Sequence, residues 1–204
     1  DNFLLSGGAG SGKTYSLVQV IRQAIAENPT SKVACMTYTN AAVKEIEQRV
    51  NHNNLNVTTI HDFLWDNIKH FQNELKAALV ALANDETVKE IKVSEVEIVP
   101  DDYFDSFEKG IQYKEYLRIR EGIISHDELL IVASYLFQHF PKLSDIVKDK
   151  YKFIFIDEYQ DTNELVIKIF LEYFATSQKK NVIGFFGDAM QSIYEDGVGN
   201  LDAY

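Results

Sequence analysis

The chain of 204 residues has one cysteine, four arginines and no apolar stretch of the roughly 18 residues that a membrane-crossing helix requires. Cys35 lies in a predicted strand, Lys32 to Thr37. Alone it can neither close an internal disulfide nor build a thiolate metal site, which leaves it as a small buried hydrophobe. The missing apolar run argues against a membrane partner. The first residues also lack the charged, apolar, small-residue order of a secretory leader, so the cytoplasm is the expected compartment. The scarcity of arginine (Arg22, Arg49, Arg118, Arg120) accompanies a formal charge of −11. Together these argue against a protein that holds nucleic acid by bulk electrostatics. Any such contact must rest on stacking, backbone N–H groups and hydroxyls, or on basic surface outside this chain. No internal repeat or low-complexity segment occurs.

What the chain does have is ordinary core material, 46% hydrophobic with 12% aromatic, arranged in a rhythm. Strand-like Phe3 to Ser6, Val33 to Thr37 and Val57 to Ile60 alternate with helical Lys13 to Glu27, Ala41 to Val50 and Asp62 to Phe71. Such alternation predicts a parallel sheet with helices on both faces. The rhythm resumes at Tyr151, with buried strands Lys152 to Ile156 and Val182 to Phe186 around an amphipathic helix, Glu164 to Phe174. Between the two blocks the sequence is charged and mostly helical, Glu74 to Ala83 and His126 to Phe140 being clearest. Glu95 to Val99 and Tyr113 to Arg120 read as short strands. The expected organisation is one α/β domain from residues 1–71 and 151–204, interrupted by a mostly helical insertion, 72–150. Whether that insertion fills space or grips a ligand is left open by its sequence.

Gly7-Gly8-Ala9-Gly10-Ser11-Gly12-Lys13-Thr14 satisfies G-x-x-x-x-G-K-[ST] in full, after a strand and before a helix. The glycines let backbone N–H groups turn inward around phosphates, Lys13 supplies a point charge to the β/γ-phosphates, and Thr14 offers a hydroxyl to Mg²⁺. A nucleoside triphosphate is the expected ligand. Phe153-Ile154-Phe155-Ile156-Asp157-Glu158 is an apolar strand ending in two carboxylates. In a doubly wound sheet such an end faces the ligand crevice, so Asp157 is read as the second Mg²⁺ ligand and Glu158 as the group that orients or deprotonates the attacking water. Gly187-Asp188-Ala189-Met190-Gln191-Ser192-Ile193-Tyr194 follows another buried strand. It brings Gln191, which can donate and accept, toward the γ-phosphate.

In order and spacing these segments resemble the UvrD/Rep/PcrA-type superfamily 1 DNA helicases, specifically their first RecA-like domain with its helical insertion. The resemblance runs from Phe3 to about Tyr194. Gly7 to Thr14 is similar to motif I, Met36-Thr37-Tyr38-Thr39-Asn40-Ala41-Ala42 to motif Ia, and Thr59-Ile60-His61-Asp62-Phe63 to motif Ib. Ser125-His126-Asp127-Glu128-Leu129-Leu130 resembles the stretch upstream of motif II. Asp157-Glu158-Tyr159-Gln160-Asp161-Thr162-Asn163 resembles motif II itself, and Gly187 to Tyr194 motif III. The resemblance implies an α/β P-loop NTPase (RecA-like) fold, ATP with Mg²⁺, and DNA-stimulated hydrolysis with Gln160 and Gln191 beside the nucleotide. It also implies single-stranded DNA held by Thr37, Tyr38, Thr39, Asn40, His61 and Tyr194. Tyr38 and Tyr194 could stack on bases, each stack being worth about 1–3 kcal/mol. Core packing is the other ordinary use of a tyrosine, and helix capping of a histidine.

Three departures accompany the resemblance. After Tyr194 the chain reads Glu195-Asp196-Gly197-Val198-Gly199 where the family has an aromatic, an arginine and a glycine. The glutamine segment that reads adenine does not precede Phe3, and no second RecA-like domain follows motif III. The intact protein is therefore expected to be an ATP-dependent helicase or translocase in DNA repair or recombination, whose C-terminal RecA-like domain is the missing partner. These 204 residues alone are expected to bind Mg·ATP weakly and not to unwind DNA. The rival readings are a P-loop ATPase of a nuclease-coupled or phage-defence system, and a nucleotide-sensing module that does not unwind DNA.

Overall fold

The computed structural model describes residues 2–8, 12–93 and 96–188. Its elements follow the chain as β1 (Phe3–Ser6), α1 (Lys13–Glu27), β2 (Val33–Thr37), α2 (Asn40–Val50), β3 (Leu55–Thr59), α3 (Ile60–Ile68) and α4 (Gln72–Asn84). There follow β4 (Gln112–Tyr113), β5 (Ile123–Ile124), α5 (His126–His139), α6 (Lys142–Lys150), β6 (Phe153–Asp157), α7 (Glu164–Lys168) and β7 (Val182–Gly187). Five strands make one sheet in the order β1-β7-β6-β2-β3, every neighbouring pair parallel. The two-residue strands β4 and β5 pair separately.

The sheet is covered on both faces because its strands are apolar at successive positions, and the period of two sorts side chains between the covers. Val33, Cys35, Phe155 and Phe186 pack with Leu17 and Ile21 of α1 and Ile46 of α2. Ala34, Met36, Ile154, Ile156 and Phe185 enter the larger core with α3, α4, α5 and α7. On α1 the buried residues Leu17, Val18, Ile21, Ala24 and Ile25 form one helical stripe, which ends at Asn28 just before Pro29. This is the expected α/β, RecA-like architecture. No helix among the described residues is long and apolar enough to cross a membrane.

The insertion departs from its sequence reading in detail. Of the anticipated Tyr113 to Arg120 strand, Tyr113 pairs with β5 in parallel beside Gln112, Arg118 meets Ile123 in a single antiparallel bridge, and residues 119–121 form a 3₁₀ turn. The segment 96–99 is not strand, and helix α6 was not anticipated. The Glu164 to Phe174 helix holds α geometry only to Lys168. Ile169–Tyr173 then continues as a π-helical turn and Phe174–Thr176 as a 3₁₀ turn. The core runs without a break from the sheet into this insertion: Leu75, Leu79, Leu129 and Phe137 share it with Ile154 and Ile156.

Candidate nucleotide site and adjoining groove

All five parallel strands end at one edge, so their first loop residues converge there whatever their separation in sequence. From β1 comes the Gly7 to Thr14 loop. The Gly7 N–H donates to the Gly187 carbonyl at 3.0 Å, tying that loop to the end of β7. Gly12 caps α1 with φ +81°, a left-handed conformation that a side chain would strain. Ala9, Gly10 and Ser11 lie outside the described residues, as do Gln191 and Tyr194. Thr14 stands half-buried in the first turn of α1, and Lys13 beside it donates from Nζ to the Gly7 carbonyl at 2.9 Å.

Asp157 closes β6 and is 5% exposed, with Oδ1 buried and without a hydrogen-bond partner. Burial, and then the neighbouring Glu158 carboxylate, push its pKa up to about 7. A buried carboxylate oxygen without a donor is poised for a cation. Its chemistry and that of the Thr14 hydroxyl are hard oxygen, the type that suits magnesium. Among the described residues no group of three or more histidines, cysteines or acids gathers for a metal, so ligand phosphates and water would supply the rest of such a shell.

Glu158 adopts φ +49°, a left-handed conformation unusual outside glycine and asparagine. It turns the chain so that its carboxylate lies 4.0 Å from Lys13 Nζ and accepts from Gln160 Nε2 at 2.8 Å. The Gln160 side-chain oxygen, Oε1, in turn accepts from the Asp188 N–H at 3.0 Å. Gln160, 2% exposed, thus bridges the ends of β6 and β7. Gly187 is required beside it, since a Cβ there would overlap Gln160 Oε1 and the Tyr159 ring.

The other half of the edge, past β2 and β3, carries a groove of about 680 Å³ lined by Tyr38, Thr39, Asn40, His61, Trp65 and Tyr113 among others. Tyr38 is 46% exposed, whereas Thr37, the last residue of β2, is buried. The Thr39 hydroxyl caps α2 by accepting from the Ala42 N–H at 3.2 Å, and Thr59 caps α3 by accepting from the Asp62 N–H at 3.1 Å. His61 meets His126 of α5 with ring centroids 4.7 Å apart, and the Tyr113 hydroxyl is hydrogen-bonded to His126 Nδ1. Burial foremost, then His126, lowers the His61 pKa, while burial pushes Tyr113 up to about 12. A second cavity of about 320 Å³, also lined by Tyr38, His61 and His126, reaches Asp161, Thr162 and Asn163 after β6. The groove therefore borders the segment that follows Glu158.

Sequence reasoning missed Trp65, Tyr113 and His126 as groove walls. His126 stood in a quoted motif without a role, and the other two depend on how the insertion folds back. It also passed over Tyr15, whose ring is 64% exposed directly after Thr14.

A phosphate loop, a buried carboxylate and a bridged pair of strand ends on a parallel α/β sheet define a P-loop nucleotide-binding domain. Comparison with known proteins makes the family specific: the model of the AAA domain family AAA_19 matches residues 1–196, and the chain belongs to that family. It is similar to Gabija protein GajB of Bacillus cereus strain HuB5-5, with 29% identity over 98% of this chain and 42% of that protein. It is also similar to a probable DNA helicase II homolog of Rickettsia felis (28% identity, 94% of this chain, 35% of that protein). A third relative is the ATP-dependent DNA helicase PcrA of Staphylococcus epidermidis (27%, 94% and 32%). These findings show the UvrD-like character that the motifs implied. The chain spans about two-fifths or less of the length of these relatives.

Proposed function

We propose that the chain is the ATP-binding half of a DNA motor, in which hydrolysis at the β1, β6 and β7 ends works a strand-gripping groove at the β2 and β3 ends. The observation that carries this reading is the shared edge: phosphate loop, buried Asp157 and groove all sit at strand C-termini, with β6 between the two halves. The site residues divide the work by position. Lys13 leaves the Gly7 carbonyl for the β/γ-phosphates, and Thr14 and Asp157 would hold Mg²⁺. That ion supplies charge neutralisation on the phosphate oxygens when bound. Glu158, held beside Lys13, accepts the proton of the attacking water, and Gln160 relays its position to Asp188. In the groove, Tyr38 offers a ring face to bases while Asn40 and His61 offer donors to phosphates. Such contacts suit a chain of net charge −11.

Domain organisation follows the same reading: 1–71 with 151–204 as the nucleotide domain, 72–150 as an insertion that completes the groove, and a second RecA-like domain supplied by the rest of a longer protein. The test is ATP turnover by that longer form with and without a single-stranded oligonucleotide, with Lys13→Ala as the blank. The reading expects strong stimulation, lost in Glu158→Gln while nucleotide binding remains. Turnover indifferent to DNA would sink it. A rival setting for the motor is ATP use in a nuclease-coupled or phage-defence system rather than in free-standing repair. Turnover that responds to DNA only when a nuclease partner is present would favour that setting.

A further inference from the structure

At the end of the sheet opposite the nucleotide loop, β2, β6 and β7 begin side by side. The Lys152 N–H donates to the Lys32 carbonyl at 3.0 Å, and the Val182 N–H donates to the Lys152 carbonyl at 3.0 Å. Lys32, Lys152 and Lys180 therefore stand at adjoining strand entries, all exposed and without a side-chain hydrogen bond or ion pair among the described residues. Lys148 and Lys150 of α6 and Lys179 join them, so that six of the sixteen lysines of an acidic chain gather at one end. Few acids answer them: Asp149 pairs with Lys179 at 2.9 Å, and Asp145 accepts from the Ser177 hydroxyl.

This end is concave. A cavity of about 540 Å³ and another of about 490 Å³ share Lys148 and Lys152 as walls, which makes them one trough. Lys148 is built into it, Nζ donating to the Phe174 and Lys179 carbonyls at 2.6 and 3.2 Å. Leu171 and Ala175 add apolar surface, and the neighbouring π-helical turn, Ile169–Tyr173, is a geometry often found at functional sites. The Asn181 amide nitrogen lies in the lining, buried and without an acceptor. A buried donor left unpaired is costly, and an incoming carbonyl or carboxylate would satisfy it.

We propose that this trough docks an acidic segment of another protein chain, its carboxylates meeting Lys32, Lys152 and Lys180, an acceptor meeting Asn181, and an apolar side chain lying on Leu171 and Ala175. The composition favours protein over nucleic acid. The trough has no arginine to fork a phosphate and no open ring for a base, Phe170 and Phe174 each being 1% exposed. The surface is independent of the nucleotide edge and of what that edge binds.

The experiment measures binding of a fluorescein-labelled, glutamate-rich peptide with one central leucine to the chain. Three forms are compared: unaltered, with Lys32→Glu, Lys152→Glu and Lys180→Glu together, and with exposed lysines elsewhere reversed (Lys44→Glu, Lys89→Glu, Lys109→Glu). The expected result is saturable binding that weakens about tenfold or more in the trough variant but about twofold or less in the control, as for local charge complementarity. Asn181→Leu should weaken it as well. Should reversal unfold the trough variant, Lys→Gln at the same three positions serves instead, with the same expected loss. The proposal is overturned by absence of binding, by equal loss in both variants, or by tighter binding of a DNA duplex that competes with the peptide.

Discussion

Glu158 and His61 are the residues where local energetics and proposed role pull against each other. A non-glycine residue in the left-handed region costs on the order of 1 kcal/mol, and Glu158 sits there at φ +49°. Asparagine tolerates that conformation better, so Glu158→Asn should raise thermal stability modestly while removing hydrolysis. Calorimetry alongside a turnover assay checks both, and lower stability would mean that the Lys13 and Gln160 contacts outweigh the strain. His61 is a histidine whose folded pKa is lowered, by burial first and His126 second. The unfolded chain then binds the proton more readily, so stability is lost as pH falls through the ordinary histidine range near 6.5. Denaturant titrations between about pH 7.5 and 5 should show that loss, and His61→Gln should flatten it. An unchanged slope in the variant would shift the acid sensitivity to other groups.

At the scale of elements, the strands were legible because each is a short apolar run that ends in a chemically distinctive loop. The extents of β1, β2 and α1 follow directly from Phe3-Leu4-Leu5-Ser6, Val33 to Thr37 and Lys13 to Glu27. Starts of α2 and α3 were less legible, since Thr39 and Thr59 act as caps while Asn40 and Ile60 already belong to helix. A capping hydroxyl is worth about 1 kcal/mol, so Thr59→Ala should destabilise the chain by that order. Because α3 carries His61 into the groove, the same change should also weaken any strand binding there, a loss readable by fluorescence anisotropy. Destabilisation without a binding change would separate the cap from the groove. Helix α6 escaped notice because Lys142 to Lys150 is charged and carries only a narrow buried stripe, Leu143, Ser144 and Val147. The groove walls Trp65, Tyr113 and His126 could not be read from local pattern, since they meet only after the insertion packs on α3.

Over the whole molecule the sheet places the phosphate loop and the groove at one edge, with β6 between them. β6 pairs with β7 on the nucleotide side and with β2 on the groove side. Beyond its end, Gln160 bonds Glu158 and Asp188, and Asp161 to Asn163 line the cavity that Tyr38 and His61 share. In the proposed motor, a ligand that reorders Glu158 would act on that segment, and by linkage a strand held in the groove would act back on the nucleotide. The phosphate loop was legible from sequence because its chemistry is contiguous. The route proposed for coupling was not, because it rests on one glutamine spanning two strand ends that are distant in the chain.

The central claim is that coupling, and the most direct measurement of it is the affinity of the chain for a fluorescent single-stranded oligonucleotide with and without saturating Mg²⁺ and a non-hydrolysable ATP analogue. The account predicts a change of about fivefold or more, the scale of a coupling near 1 kcal/mol, largely abolished in Gln160→Ala. Equal affinities with and without nucleotide in the unaltered chain would contradict it.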